Sequence, residues 1–209
     1  MVLLVGGAAR LADSRDAGRP PCLVDDGSVP AAVPAIPAVT AGERASARLA
    51  LGVADAVTVW LPAGRVEDRV GTGSELIAAA SVPSVVVAPV VDEARDPDGA
   101  ARWRAAADVA VVVPPSRGGP IERPPRDLLL AAWSGLPLVT PDAPWASGLV
   151  DGTTGALAAP GSDALVAAVD RALVDRARRG ASARARVAAF ADPETWLGVW
   201  TRRCEAALP

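Results

Sequence analysis

Histidine, tyrosine, lysine, asparagine and glutamine are all absent from the 209 residues. Their absence excludes Ser-His-Asp and Cys-His catalysis, Schiff-base lysines, histidine metal sites and the lysine-bearing phosphate loop of Walker-type NTPases. All 21 basic side chains are therefore arginines, set against 24 acidic ones. What remains is the chemistry of carboxylates, guanidinium groups, hydroxyls and backbone amides. GC-rich coding DNA imposes the same bias, so mutation pressure accounts for the missing types more readily than design. The two cysteines, Cys22 and Cys204, stand far apart and alone. They cannot form a metal cluster, and a structural disulfide is not expected in so long and apolar a chain, so two thiols in a reducing compartment are expected. Neither a metal nor a cofactor is called for.

A net charge of −3 gives no reason to expect nucleic-acid binding. The apolar start Val2-Leu3-Leu4-Val5 has no basic flank and is too short for a signal peptide. Prolines break the apolar run 81–91, so no transmembrane segment is expected. These features lead to the expectation of a cytoplasmic protein and leave peripheral membrane contact open.

What is present is abundant apolar mass, with 51% hydrophobic residues, enough for one full domain or one and a half. Short β-branched runs alternate with alanine- and leucine-rich stretches, the pattern of a parallel sheet covered by helices. Strands are expected at 2–5, 57–61, 84–88, 109–113 and 137–140, with a shorter one at 156–158. Helices are expected at 41–51, 72–80, 99–106, 125–134, 162–174, 178–189 and 193–208. Ser162 is the expected cap of one of them, and Asp192-Pro193 supplies a cap and a first-turn proline to the last. Prolines 20, 21, 30, 34 and 37 make 18–39 read as an extended connector. The division that follows is a fragment with a Pro-rich linker at 1–39 and one doubly wound domain at 40–209. The arginines 171, 176, 178, 179, 184 and 186 are interleaved with Asp170 and Asp175 and read as a solvated helical face, not a nucleic-acid patch.

In an open parallel sheet, ligands bind beyond the carboxyl ends of the strands. Two strand ends are equipped for this. Leu61-Pro62-Ala63-Gly64-Arg65 leads into a helix, and an arginine beside a glycine can fork onto phosphate oxygens. Arg69 follows one helical turn later. The second end is Pro115-Ser116-Arg117-Gly118-Gly119-Pro120-Ile121-Glu122, where the glycine pair permits close backbone approach. Glu122 can accept from a sugar hydroxyl, and a surface salt bridge or simple hydration is the alternative for both charged residues.

The order of these segments resembles a known family. Ala107-Asp108-Val109-Ala110-Val111-Val112-Val113-Pro114 is followed by Ser116 and Glu122. Gly135-Leu136-Pro137-Leu138-Val139-Thr140 comes next, then Gly148-Leu149-Val150-Asp151-Gly152-Thr153-Thr154-Gly155. Together with Arg48-Leu49-Ala50-Leu51-Gly52-Val53 upstream and Trp196 and Trp200 downstream, this is similar to the donor-binding, C-terminal half of retaining GT-B glycosyltransferases of group one, or family four. The resemblance spans about residues 40–208. It implies an α/β, Rossmann-like doubly wound parallel sheet, with residues 1–39 a remnant of the N-terminal domain and linker. It also implies transfer of a hexosyl group from a UDP, GDP or ADP sugar to an acceptor, without a metal or other cofactor. Arg65 and Glu122 are then the catalytic pair, with Arg69 one step from the lysine position; together with Gly64, Ser116, Gly118 and Gly119 of the two strand ends they are the residues expected to hold the donor.

The same resemblance exposes departures. The family's diphosphate-binding lysine falls on Val70, its second glutamate on Leu130, its Gly-Gly pair on Pro144-Trp145, and the glutamate after that pair on Gly148. The stretch before Asp108 is too short for the strand and helix that usually read the nucleobase. Almost the whole acceptor half has no counterpart, so the chain is expected to begin within a GT-B fold and to be weakly active or inactive alone. The Trp196/Trp200 stripe then calls for a second copy or a separate acceptor-domain chain. The alternatives are a non-catalytic subunit or binding module, and an unrelated doubly wound domain.

Overall fold

The computed structural model describes residues 2–4, 22–24, 36–62, 66–79, 85–89, 91, 95–112, 126–143, 146–190, 194, 197–198, 201–202 and 205. Strands β1 (Val2–Leu4) and β2 (Cys22–Val24) pair in parallel as a two-stranded sheet. β2 falls inside the stretch expected to be an extended connector. Three apolar residues after the proline pair, Cys22, Leu23 and Val24, suffice for a strand once a partner strand lies alongside.

Five strands form the main sheet: β3 (Val57–Trp60), β4 (Val85–Val87), β5 (Val109–Val111), β6 (Leu138–Pro141) and β7 (Gly155–Ala158). All pairings are parallel, in the order β4-β3-β5-β6-β7. Helices α1 (Ala41–Ala50), α2 (Val66–Ala79), α3 (Pro97–Ala106), α4 (Arg126–Trp133), α5 (Ala146–Leu149), α6 (Ser162–Leu173) and α7 (Arg176–Phe190) connect them. Successive strand residues point to opposite faces, and both faces are apolar. Trp60, Ala110, Val112 and Leu138 face one layer with Leu128, Trp133 and Val187, while Val59, Leu61, Val109, Val111 and Val139 face the other with Leu76, Ala168 and Val169. The unbroken apolar runs of β3 and β5 thus follow from burial on both sides, and the doubly wound sheet expected from them is the observed one.

The helix ends show how local chemistry sets the boundaries. Thr40 and Glu43 form a reciprocal capping box on α1, with the Thr40 amide 2.8 Å from the Glu43 carboxylate. Asp96 caps α3 through the Gly99 amide at 2.8 Å, with Pro97 in the first turn. At α6 the expected cap moves by one residue: Gly161 (φ +110°) is the N-cap, and no side chain caps that helix.

The amino edge of the sheet is held by charge. Asp108, immediately before β5, is 2% exposed. Its carboxylate accepts from Arg48 at 2.8 Å, from Arg176, and from the Thr58 amide at 2.9 Å. Arg44 lies 4.0 Å away and donates to the Ala107 carbonyl. Helix α1 buries no residue fully; it packs beside α3, and its Arg44 and Arg48 tie it to the β5 entrance.

Edge strand β7 is held in a related way. Its outward carbonyls, Gly155 and Leu157, accept from Arg179 at 2.9 Å and Arg171 at 3.1 Å. Arg184 donates to the Trp133 carbonyl and Arg186 to Asp151 at 2.6 Å. The arginine run expected as a solvated face keeps Arg171, Arg176 and Arg178 exposed, and its guanidinium groups also clamp backbone carbonyls and carboxylates. A long side chain can leave an exposed Cα and still satisfy a strand edge, which the charge pattern of the sequence does not reveal.

The turn into β7 has its own titration. Asp151 Oδ1 accepts from the Thr153 hydroxyl at 2.6 Å and from the Thr153 and Thr154 amides at 2.7 and 3.1 Å. The Thr153 hydroxyl, the two amides and Arg186 hold its carboxyl down at about 2, against the usual 3.8 and against partial desolvation. A depressed carboxyl stabilises the fold fully above the unfolded value, and that contribution is lost as the pH falls through the folded one, here from about 4 to about 2. Thr153→Val is expected to raise the Asp151 pKa and move acid unfolding to higher pH, read by carboxyl NMR titration; an unmoved titration would refute the assignment.

Candidate functional site

Strand order reverses at β3, since the chain moves outward from β3 to β4 and then crosses to the other side for β5. Val59 faces Val109 and Trp60 faces Ala110, so β3 and β5 run out side by side. Their exits, Leu61 and Val112, are buried at 3% and 1% exposure. In a doubly wound sheet the crevice outside such a reversal is where a ligand can approach the helix N-termini. The segments that leave these two exits are 63–65 and 113–125.

Gly64, Arg65, Ser116, Arg117, Gly118, Gly119 and Glu122 lie outside the described residues, as do Pro144, Trp145, Trp196 and Trp200. Of the donor-holding residues expected from the sequence, Arg69 is described. It sits on the first turns of α2, and its Nη1 donates to the Leu61 carbonyl at 3.2 Å. Its Nε is buried and meets no acceptor among the described residues. The side chain doubles back, so its charge lies at the carboxyl end of β3 and not out along α2. A guanidinium carries five N–H donors, and this bond uses one.

The departures from the family pattern take physical form. Val70, at the lysine position, is 56% exposed on α2 and brings no charge. Leu130, at the second glutamate position, is 3% exposed within the core layer around α4. An ionised carboxylate there would be desolvated among leucines, so position 130 serves packing. Gly148 is an exposed residue of α5, a four-residue helix that the sequence pattern did not announce. Between β4 and β5 the one described element is α3. Among the described residues, no three carboxylate or thiol side chains converge as metal ligands, and no helix is long and apolar enough to cross a membrane. Sequence reasoning quoted Asp108 only as part of a motif and missed its role at the other edge; an acidic residue directly before a fully apolar strand was the available signal.

No family model matches the chain, and no curated protein matches it. Solved structures do. HepE of Anabaena, in complex with UDP-glucose, gives a TM-score of 0.65 at 19% identity, over 80% of this chain and 53% of that one. The fold is GT-B glycosyltransferase-like over the part of that structure the chain covers. A glycosyltransferase from Rickettsia africae gives 0.61 at 11% identity, over 87% of this chain and 56% of the other. The pneumococcal O-GlcNAc transferase GtfA, in complex with UDP and GlcNAc, gives 0.51 at 15% identity, over 91% and 41%. The chain spans about half the length of the first two GT-B structures. The expected Rossmann-like, glycosyltransferase-type architecture is thus the one the molecule has.

Proposed function

We propose that residues 40–209 form the donor-binding domain of a hexosyltransferase that takes a nucleotide-diphosphate sugar, with UDP as the nucleotide. The supporting observation is the reversal of strand order at β3, whose exit and that of β5 lead into the two loops carrying Arg65 and Glu122. The UDP and sugar ligands of the structures with this fold support the choice of donor.

In this reading the negative charge that builds on the departing diphosphate is met by Arg65, with Arg69 as a second cation anchored on the Leu61 carbonyl. The loop amides of Gly64, Gly118 and Gly119 and the Ser116 hydroxyl line the donor, and Glu122 accepts from a sugar hydroxyl. Each well-placed electrostatic partner of this kind is worth about 3–4 kcal/mol in the transition state. Transfer also requires an acceptor-binding half that closes over the sugar and excludes water. That half acts in the same protein or as a partner chain docked through the Trp196/Trp200 stripe. The alternative, a non-catalytic subunit of the same fold, is favoured by one observation: Leu130 is committed to the core where the family keeps a carboxylate.

Thermal-shift and calorimetric titration with UDP and UDP-glucose tests the proposal. A ligand at a hundred times its dissociation constant adds about 2.7 kcal/mol of stability. Arg65→Ala is expected to abolish detectable binding, and Arg117→Ala to have less effect. Equal losses would refute the assignment of Arg65, and no shift at millimolar UDP would leave the non-catalytic reading.

A further inference from the structure

At the amino edge of the sheet, beside the entrances to β5 and β6, lies a cavity of about 420 Å³ lined by Arg44, Asp108, Ser134, Gly135, Arg176 and Arg184 among others. It lies on the sheet edge opposite the exits of β3 and β5. Among the described residues its charge does not balance. Asp108 is the one carboxylate of the described lining, and three guanidinium groups, those of Arg44, Arg48 and Arg176, lie within 4.0 Å of it. Arg184 adds a fourth cation, held over the Trp133 ring at 5.2 Å. Burial, together with the like charges of Arg176 and Arg48, holds the Arg44 pKa below its ordinary value despite the nearby Asp108 carboxylate.

The donors are also in surplus. Among the described residues, Arg44 gives one hydrogen bond, to the Ala107 carbonyl, Arg176 one, to Asp108, and Arg184 one, to the Trp133 carbonyl. Each guanidinium presents five N–H groups, so most of those lining the cavity meet no acceptor among the described residues. The Arg176 side chain is 53% exposed and lines the cavity with Arg44 and Arg184, so these donors are open to it and to solvent.

We propose that this cavity binds a small phosphorylated ligand through its phosphate group. A phosphate dianion supplies the charge and the acceptor oxygens that the cluster lacks, and forked guanidinium groups suit its geometry. The volume admits more than the phosphate itself, and ligand pockets begin at about 300 Å³. A free phosphate ion and the phosphate of a phosphomonoester share this chemistry. The proposal does not rest on the glycosyltransferase reading.

The test is calorimetric titration of the full chain in phosphate-free buffer with two probes, inorganic phosphate and glucose 6-phosphate, each with and without saturating UDP. Binding of either probe, undiminished by UDP, is expected. Tighter binding of the monoester assigns the extra volume to its organic part, and equal binding assigns the site to the free ion. Arg176→Gln and Arg184→Gln are each expected to weaken binding about ten- to a hundredfold. Ala181→Glu, at an exposed α7 residue of the cavity wall, adds a carboxylate without removing any structural bond and is expected to abolish it. None of the three should change UDP binding, so the two sites fail separately. The proposal is overturned if the wild-type chain takes up neither probe at millimolar concentration, if UDP displaces the probe, or if Ala181→Glu binds as the wild type does.

Discussion

Asp108→Ala is expected to destabilise the fold by about 3–5 kcal/mol, the range for breaking a buried ion cluster from one side. The reason lies in what the carboxylate leaves behind. It is 2% exposed and serves Arg48, Arg176 and the Thr58 amide together. Without it, three guanidinium groups face one another with no anion, and a buried backbone N–H loses its acceptor. Helix α1 has no fully buried side chain to fall back on. Its other ties at this edge, from Arg48 to the Ala106 carbonyl at 3.0 Å and from Arg44 to the Ala107 carbonyl, must then be made by unpaired cations. Asp108→Asn keeps the shape and one acceptor oxygen but not the charge, and should fall between wild type and alanine. The matched control is Arg178→Ala, whose partner Asp175 lies at 3.2 Å with both side chains more than 60% exposed. An exposed pair of this kind contributes about 0–1 kcal/mol. Denaturant midpoints measure all three, and a loss of less than about 1 kcal/mol in Asp108→Ala would remove the cluster from the account of how α1 is held.

The contrast between these aspartates marks what the sequence makes legible. Strand and helix order could be read because β-branched runs and alanine-rich stretches alternate along the chain, and every strand expected from residue 57 onward is present within a few residues. Long-range partners could not be read. Arg48 and Asp108 are sixty positions apart, and nothing local distinguishes a clamp from a surface arginine. Helix α2 begins at Val66, not 72, so it takes in Gly71 as well as the Gly73 already expected within it. Gly73 is buried against the sheet, where a Cβ would come within 3.1 Å of Val87 Cγ1. It is there for close helix–sheet packing, a role that pattern alone does not reveal. The candidate site was legible only to the level of strand ends. Adjacency of the β3 and β5 exits follows from the strand order, which depends on crossovers and not on any motif.

Glycine also gives the second large effect. Gly155→Ala is expected to cost on the order of 3–5 kcal/mol, combining about 1–3 for overpacking a rigid site with about 1 for each ladder bond that must give. Gly155 opens β7 opposite Leu138. A Cβ at this position would overlap the Leu138 carbonyl oxygen and sit 2.7 Å from its carbonyl carbon. These are backbone atoms, so no rotamer can relieve the clash. Relief requires β7 to draw away from β6, which breaks the 3.1 Å bond from the Leu138 amide to the Thr154 carbonyl and shifts the carbonyl that Arg179 holds. Gly152, three residues earlier in the same turn, has open space where a Cβ would go and no left-handed backbone. Gly152→Ala should therefore lie within about 0.5 kcal/mol of wild type. Hydrogen exchange separates the causes: in Gly155→Ala the β6 amides paired to β7 should lose protection while those of β3 and β5 keep theirs. Equal stabilities of the two glycine variants would mean that β6 and β7 do not meet in this close backbone contact.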